Sequence, residues 1–353
     1  MKRYFLTSLV PRGQEIESGV SIAMCNFSRN LMSGEIFNRT FSILAVYVRK
    51  CYKSDADAEY VCSLTRPWGG LFRIVSPVLE QIKLFFKIEC GSSLWLYNMT
   101  TLSETLFLLL RWFKPSVKIY TIVLDFTPGA KNNDRLLKRI NASDGLIVLA
   151  DCKLFTHPNK LCLPGVVFTD ANADYPKVEA LVAKRFLLSG ALNEQISQIS
   201  KVLRVFAALP ECELHITGIE DKSNYSEYSE CPNIRLHGKL AWDDYLDLMH
   251  SCPFILSTRD VHAPENQCNF PSKIIESLLH NRIIVSTFAY EQLKDIKILK
   301  VGNEVEDILH DIQSIVSMPD LELLEYANQS ARTKELFSVD VWKEAIENIE
   351  NNE

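Results

Sequence analysis

The densest run of chemically useful side chains is Asn269-Phe270-Pro271-Ser272-Lys273, followed by Glu276. Pro271 suits the first turn of a helix, whose free N–H groups and positive dipole end attract an anion. Lys273 adds a full charge there. Glu276, three residues on, projects from the neighbouring turn of the same face, while Ile274, Ile275, Leu278 and Leu279 cover the other. A cation and a carboxylate so placed can share one ligand, with a diphosphate against Lys273 and a ribose diol against Glu276, because a carboxylate accepts two hydroxyl hydrogen bonds. Taken alone, the same pair also reads as an i,i+3 surface ion pair.

Asp125 is a second candidate. It ends the apolar run Tyr120–Leu124 and precedes Phe126-Thr127-Pro128-Gly129, which puts a carboxylate at the carboxyl end of a strand, where α/β proteins bind ligands. There it can take or orient the proton of an attacking hydroxyl, or simply cap the N–H groups of the Pro-Gly turn. His262, in a loop after the run Pro253–Thr258, can reach a neighbouring ligand, whereas His215 and His237 lie within strands and read as packing residues. Seven histidines with no i,i+4 pair offer no metal site. Asp55, Asp57 and Glu59 follow no apolar strand and read as a solvated charge run. The ten cysteines never come at C-x-x-C spacing and read as reduced core thiols.

From residue 185 the elements that carry these groups alternate. Arg185–Gly190, Glu213–Gly218, Asn233–Gly238, Pro253–Thr258 and Arg282–Thr287 are short apolar runs ending in turn signals. Ile196, Ile199, Leu203 and Phe206 share one helical face, and Trp242–His250 and Pro271–His280 are further helices. The first half reads as strands Tyr4–Val10, Phe41–Val48, Leu94–Tyr97, Val117–Leu124 and Gly145–Ala150, with helices Val20–Met32, Leu102–Phe113 and Asp134–Ile140. Strand–helix alternation in both halves predicts an α/β protein of two doubly wound, Rossmann-like domains facing a cleft. The domains are expected at 1–178 and 184–335. A polar linker covers about 168–184, and a last helix, about 338–353, packs back on the first domain.

The chain has 353 residues, 47% apolar and 23% charged, with 13 Gly and 14 Pro, a composition that excludes disordered, collagen-like and coiled-coil classes. It has neither a G-x-G-x-x-G after a strand nor a G-x-x-x-x-G-K-[ST], so dinucleotide dehydrogenase and P-loop readings fall away. The N-terminus lacks the apolar core of a signal peptide, and a cytoplasmic protein is expected. Residues 1–180 carry 22 of the 38 Lys and Arg and 16 of the 44 Asp and Glu, so the first half is basic while the whole chain stands at −6. That balance argues against nucleic acid as a partner. Arg73–Ile88 and Leu106–Lys118 mix apolar, aromatic and basic residues, a composition that suits either an interfacial helix on anionic lipid or a basic-capped core helix.

The stretch from Phe186 to Thr287 resembles the C-terminal domain of GT-B glycosyltransferases, in particular glycosyltransferase family 4 members of bacterial surface-polysaccharide pathways. The resemblance is carried in order by Phe186-Leu187-Leu188-Ser189-Gly190-Ala191-Leu192, Leu214-His215-Ile216-Thr217-Gly218, Leu236-His237-Gly238-Lys239-Leu240, and Asn269 to Glu276. Ser18-Gly19-Val20 to Asn30-Leu31 and Ile122–Asp125 add weaker support. It implies a sugar transferase, of the hexosyltransferase type and retaining, that uses a nucleotide-diphosphate sugar as co-substrate and needs no metal or other cofactor. The acceptor would be a growing glycan or an undecaprenyl-diphosphate-linked oligosaccharide at the cytoplasmic face of the inner membrane, in O-antigen, capsule or exopolysaccharide synthesis. Glu276 would bind the donor ribose, Lys273 would neutralise the diphosphate, and backbone at Gly190, Ala191, Thr217 and Gly218 would approach the phosphates. His237 to Leu240, with Lys239, would receive the base, and Asn269, Phe270, Pro271 and Ser272 would also belong to the donor site. Gly19, Asn98 and Asp125 are assigned to the acceptor side.

Two departures bear on donor-sugar recognition and on stereochemistry. Cys268 stands where many members carry a first Glu, and Ala191-Leu192-Asn193-Glu194 has no basic residue where one often follows the first loop, leaving Lys273, with Arg259, for the diphosphate. A non-catalytic nucleotide-sugar-binding subunit and an inverting transferase are the alternatives.

Overall fold

The computed structural model describes residues 1–15, 21–43, 52–61, 70–167, 175–179, 184–190, 192, 194–219 and 221–352. Two compact units emerge. Unit 1 comprises Met1–Phe168, Cys268–Phe270 and Phe337–Glu353, and unit 2 comprises Thr169–Gln267 and Pro271–Leu336. Most of the expected linker at 168–184 lies outside the described residues.

Unit 1 runs β1 (Arg3–Thr7), α1 (Ile22–Met32), β2 (Arg39–Ser42), β3 (Glu59–Tyr60), α2 (Gly70–Lys87), β4 (Ser93–Tyr97), α3 (Thr101–Phe113), β5 (Lys118–Val123), α4 (Asn133–Ile140), β6 (Gly145–Val148) and β7 (Lys160–Cys162). The strands form one parallel sheet in the order β3-β2-β1-β4-β5-β6-β7. Parallel neighbours need crossovers, which the intervening helices supply, and strands covered on both faces read as unbroken apolar runs. In β4 every residue is buried. Helix α3 starts at a capping box in which Ser103 N–H donates to the Thr100 hydroxyl (3.3 Å) and Thr100 N–H to the Ser103 hydroxyl (2.9 Å).

Unit 2 runs β8 (Arg185–Ser189), α5 (Glu194–Ser197), α6 (Ile199–Ala207), β9 (Glu213–Thr217), β10 (Ile234–Gly238), α7 (Trp242–Ser251), β11 (Phe254–Ser257), α8 (Pro264–Cys268), α9 (Ser272–Leu279), β12 (Ile283–Ser286), β13 (Leu299–Lys300), α10 (Val305–Ser317), α11 (Asp320–Leu323) and α12 (Ser330–Phe337), with Cys268 and Phe337, the last residues of α8 and α12, already in unit 1. Its sheet is again parallel, in the order β10-β9-β8-β11-β12-β13. Both orders reverse direction beside their first strand, the topology of doubly wound sheets.

The helix expected through Ile196, Ile199, Leu203 and Phe206 is broken. Gln198 takes a left-handed conformation (φ 50°) between α5 and α6. Tertiary bonds hold the break, since the Thr258 hydroxyl donates to Ser197 O (2.9 Å) and Gln198 Nε2 to Asn303 Oδ1 (2.8 Å).

The last helix, α13 (Val339–Asn351), belongs to unit 1. Trp342 is fully buried, its ring edge-on to Phe27 at 5.2 Å and its indole N–H donating to Gly165 O. Near the end of the helix the Glu350 carboxylate accepts from Arg3 Nε (2.8 Å), the Ser93 hydroxyl (2.8 Å) and Trp95 Nε1 (2.9 Å). Among the described residues no helix is long and apolar enough to cross a membrane.

Candidate functional site

In unit 2 the carboxyl ends of β8, β9 and β10 are tied to one another. Gly190 N–H donates to Thr217 O (3.3 Å), and Gly218 N–H (2.7 Å) and the Thr217 hydroxyl (2.8 Å) both donate to Gly238 O. This stacking requires glycine at position 218: its φ is 99°, and a Cβ there would stand 1.9 Å from Gly190 O. Gly190, at φ 126°, faces the Lys273 side chain, whose Cε would lie 3.5 Å from a Cβ at that position. The Thr217 hydroxyl is therefore committed to the loop framework, and Gly190, stacked on Gly218, lies beside the Lys273 side chain.

Helix α9 supplies the charged groups. Pro271 takes the N-cap position with extended backbone, so the helix opens at Ser272, which is exposed. Ile274, Ile275, Ser277, Leu278 and Leu279 are buried, which leaves Lys273 and Glu276 on the remaining face. Lys273 Nζ lies 4.3 Å from the centre of the Tyr245 ring, a cation–π contact with α7. Tyr245 is itself 6% exposed, and burial, then the charge of Glu276, pushes its hydroxyl pKa up.

Glu276 is the outlier of this face. Its Oε1 is sealed from solvent and has no hydrogen-bond partner among the described residues. Burial raises its pKa from 4.5, an effect that the positive charge of Lys273 opposes. A sealed, unsatisfied carboxylate oxygen is costly in a folded protein. The pair is thus not a surface ion pair: the ammonium rests on an aromatic face, and a carboxylate oxygen waits for a donor.

The other assigned positions divide between the units. Lys239 is exposed and Leu240 half-buried just past β10. Arg259 follows β11, with its N–H on the Thr287 hydroxyl (2.8 Å), and His262 is exposed in the same loop. His215 Nδ1 and His237 Nε2 lie 2.9 Å apart on neighbouring strands. Ala191 and Gly19 lie outside the described residues.

In unit 1, Asp125 is exposed just after β5. Asn98, left-handed at φ 55° after β4, accepts from Leu124 N–H (2.7 Å) and Asp125 N–H (3.5 Å) through Oδ1, so its side chain shapes the turn that presents Asp125. The Asp125 charge adds to burial in raising the pKa of the Tyr97 hydroxyl. Asn269 and Phe270, read from sequence as donor residues, belong to unit 1. Asn269 Oδ1 accepts from Phe126 N–H (2.6 Å) and its Nδ2 donates to Phe126 O (3.1 Å), while Phe270 is 4% exposed. Their side chains anchor a chain segment in this structure. Tyr245 is the site residue that sequence reading missed, because nothing in a single tyrosine on an amphipathic helix announces a lysine above its ring. Among the described residues no three His, Cys, Asp or Glu side chains are grouped to hold a metal ion.

No protein-family model and no curated protein matches the sequence. Solved structures do match by shape. The Anabaena protein HepE, in complex with UDP and glucose, is similar at a TM-score of 0.68 with 13% identity, over 98% of this chain and 98% of that one. Sucrose-phosphate synthase from Thermosynechococcus elongatus is similar at 0.69 with 14% identity, over 99% and 98%. UDP-GlcNAc 2-epimerase from Neisseria meningitidis, bound to UDP-GlcNAc, is similar at 0.58 with 11% identity, over 100% of both chains. Identities this low speak for the fold alone: the chain is an α/β protein of two doubly wound parallel-sheet domains, the fold named GT-B.

Proposed function

We propose that the chain is a glycosyltransferase that moves a sugar from a nucleotide-diphosphate-sugar donor to a hydroxyl acceptor. The observation that carries this reading is the sealed, unpartnered Glu276 carboxylate oxygen, on one helix face with Lys273, whose side chain lies beside Gly190. A ribose diol would satisfy that carboxylate, and the Lys273 ammonium would neutralise the diphosphate as the glycosidic bond breaks. The glycine backbone lets phosphate oxygens approach where a Cβ would obstruct. HepE, of the same fold, was solved with UDP and glucose, which supports a nucleotide sugar as the ligand. In this reading Asp125 orients or deprotonates the acceptor hydroxyl, no bound metal takes part, and the configuration of the sugar is retained.

The acceptor we favour is a lipid-linked glycan of a surface polysaccharide, met at the cytoplasmic face of the inner membrane. What supports this is the apolar surface of α2 and α3, where Phe86, Trp112 and Phe113 are 75%, 74% and 66% exposed and Lys83 is exposed beside them. The side chain of Arg73, named with this stretch from sequence, lies outside the described residues. Sedimentation with vesicles containing anionic lipid, lost on Trp112→Ser with Phe113→Ser, would support this acceptor, and equal partition with neutral vesicles would count against it.

A second reading, a non-catalytic nucleotide-sugar-binding subunit, is favoured by Cys268. Where the resembled family often carries a Glu, this chain has a buried thiol turned to Cys152 at 2.8 Å. Thermal shift of the purified protein against UDP, GDP, CMP, ADP and dTDP and their sugar conjugates tests the donor site. Product analysis with the stabilising conjugate then separates the readings. Transfer to an added acceptor is the expected result, with NMR of the anomeric centre reporting retention or inversion. Binding without turnover would favour the subunit, and epimerised free donor would replace transfer by the chemistry named for the Neisseria neighbour.

A further inference from the structure

Cys152 and Cys268 take no part in the proposed transfer chemistry, yet the fold brings them together from positions 116 residues apart. Both are buried in unit 1, at 9% and 3% exposure, within an apolar cluster that includes Phe126 and Phe155. Their sulfurs stand 2.8 Å apart, with the Cys268 thiol donating to the Cys152 sulfur. That separation is less than an ångström beyond the ~2.04 Å of a disulfide bond. The backbone on each side is held: Cys152 O accepts from Phe155 N–H (3.1 Å), and Asn269, next to Cys268, is clamped by two bonds to the Phe126 backbone.

We propose that Cys152 and Cys268 form a reversible dithiol–disulfide site, oxidised by a small peroxide. The Cys268 thiol donates to the Cys152 sulfur, which pulls the Cys152 pKa down to about 7, and Cys152 is the more exposed of the two, so Cys152 is the nucleophile. It attacks one peroxide oxygen, the O–O bond breaks, and a sulfenic acid forms on Cys152 with hydroxide leaving. Cys268 sulfur then attacks that sulfenic sulfur, the S–O bond breaks, and water carries away the oxygen and the Cys268 proton. Two thiols lose two electrons and two protons, and one peroxide becomes two waters. The new bond would staple Cys268–Phe270 to the turn at residues 151–155. That three-residue segment leads directly into Pro271 and α9, so oxidation restrains the peptide that precedes Lys273 and Glu276.

The test is chemical and needs no turnover, so its outcome is independent of the glycosyltransferase reading. The full-length protein is treated with hydrogen peroxide, alkylated, digested and analysed by mass spectrometry, with and without reductant. The expected product is a peptide pair joined through Cys152 and Cys268, lighter by two hydrogens, released by dithiothreitol, and formed faster at pH 8 than at pH 6. In Cys268→Ser the cross-link is absent and dimedone labels Cys152 as a sulfenic acid. Should that variant fail to fold, the wild-type peptide map decides alone. Oxidation of the exposed Cys90 while both Cys152 and Cys268 are recovered alkylated would overturn the proposal. So would a disulfide from either cysteine to a third.

Discussion

Glu350 in unit 1 and Glu276 in unit 2 are both glutamates whose carboxylates a helix carries into the protein, and they differ in what meets them there. Glu350, whose side chain is 4% exposed, accepts from three donors on two other elements, so its charge is spent on holding α13 against β1 and β4. Glu276 has an oxygen sealed from water with nothing to accept from. Burial is common to both, and only the satisfaction of the hydrogen bonds separates them. A satisfied buried carboxylate stabilises the fold, whereas an unsatisfied one destabilises it and persists where a ligand completes it.

The largest expected effect lies beside the unsatisfied group. Lys273→Ala should lower kcat/KM for the sugar-nucleotide donor by 10²–10³, the ~3–4 kcal/mol that a charge-stabilising donor supplies in a transition state. Steady-state kinetics at saturating acceptor reads this, and an unchanged kcat/KM would remove Lys273 from the chemistry.

Next in size is the contrast in stability. Glu350→Ala leaves the half-buried Arg3 without its close partner and should cost about 3 kcal/mol in urea unfolding. Glu276→Gln should cost nothing. Because the folded state holds the Glu276 pKa above its ordinary 4.5, the folded form is penalised as pH rises through and beyond that value, and Gln removes the penalty at neutral pH. Equal destabilisation by both variants would erase the distinction drawn between the two carboxylates.

A smaller effect concerns pH. A raised carboxyl pKa keeps Glu276 protonated further up the scale, and the protonated form loses acceptor capacity. Nucleotide affinity of the wild type should therefore fall as pH is lowered toward the carboxylate range, and Glu276→Gln should flatten that acid limb. Fluorescence titration at a series of pH values measures both, and identical profiles would assign the acid limb to another group.

What the sequence discloses divides along similar lines. β8, β11 and β12 are legible because a central parallel strand is apolar on both faces, and α9 because its buried residues repeat at helical spacing. β3, β7 and β13 are too short for any periodicity. The break at Gln198 is invisible because Thr258 and Asn303, far along the chain, stabilise it. Lys273 and Glu276 were legible as a pair on one face, but their difference in environment was not, since that depends on the Tyr245 ring against the ammonium and on the burial of the carboxylate. Asn269 illustrates the converse: its place in a motif is readable, while its bonds to Phe126 come from tertiary structure.

The most direct test is isothermal titration of the wild type and Glu276→Gln with nucleoside diphosphates, run beside thermal unfolding of both unliganded proteins. One nucleoside diphosphate is expected to bind the wild type, and the variant to bind it at least ~10-fold more weakly, as loss of charge-assisted hydrogen bonds requires, with an unliganded Tm no lower than that of the wild type. Undiminished binding by Glu276→Gln, or no nucleoside diphosphate bound by the wild type, would contradict it.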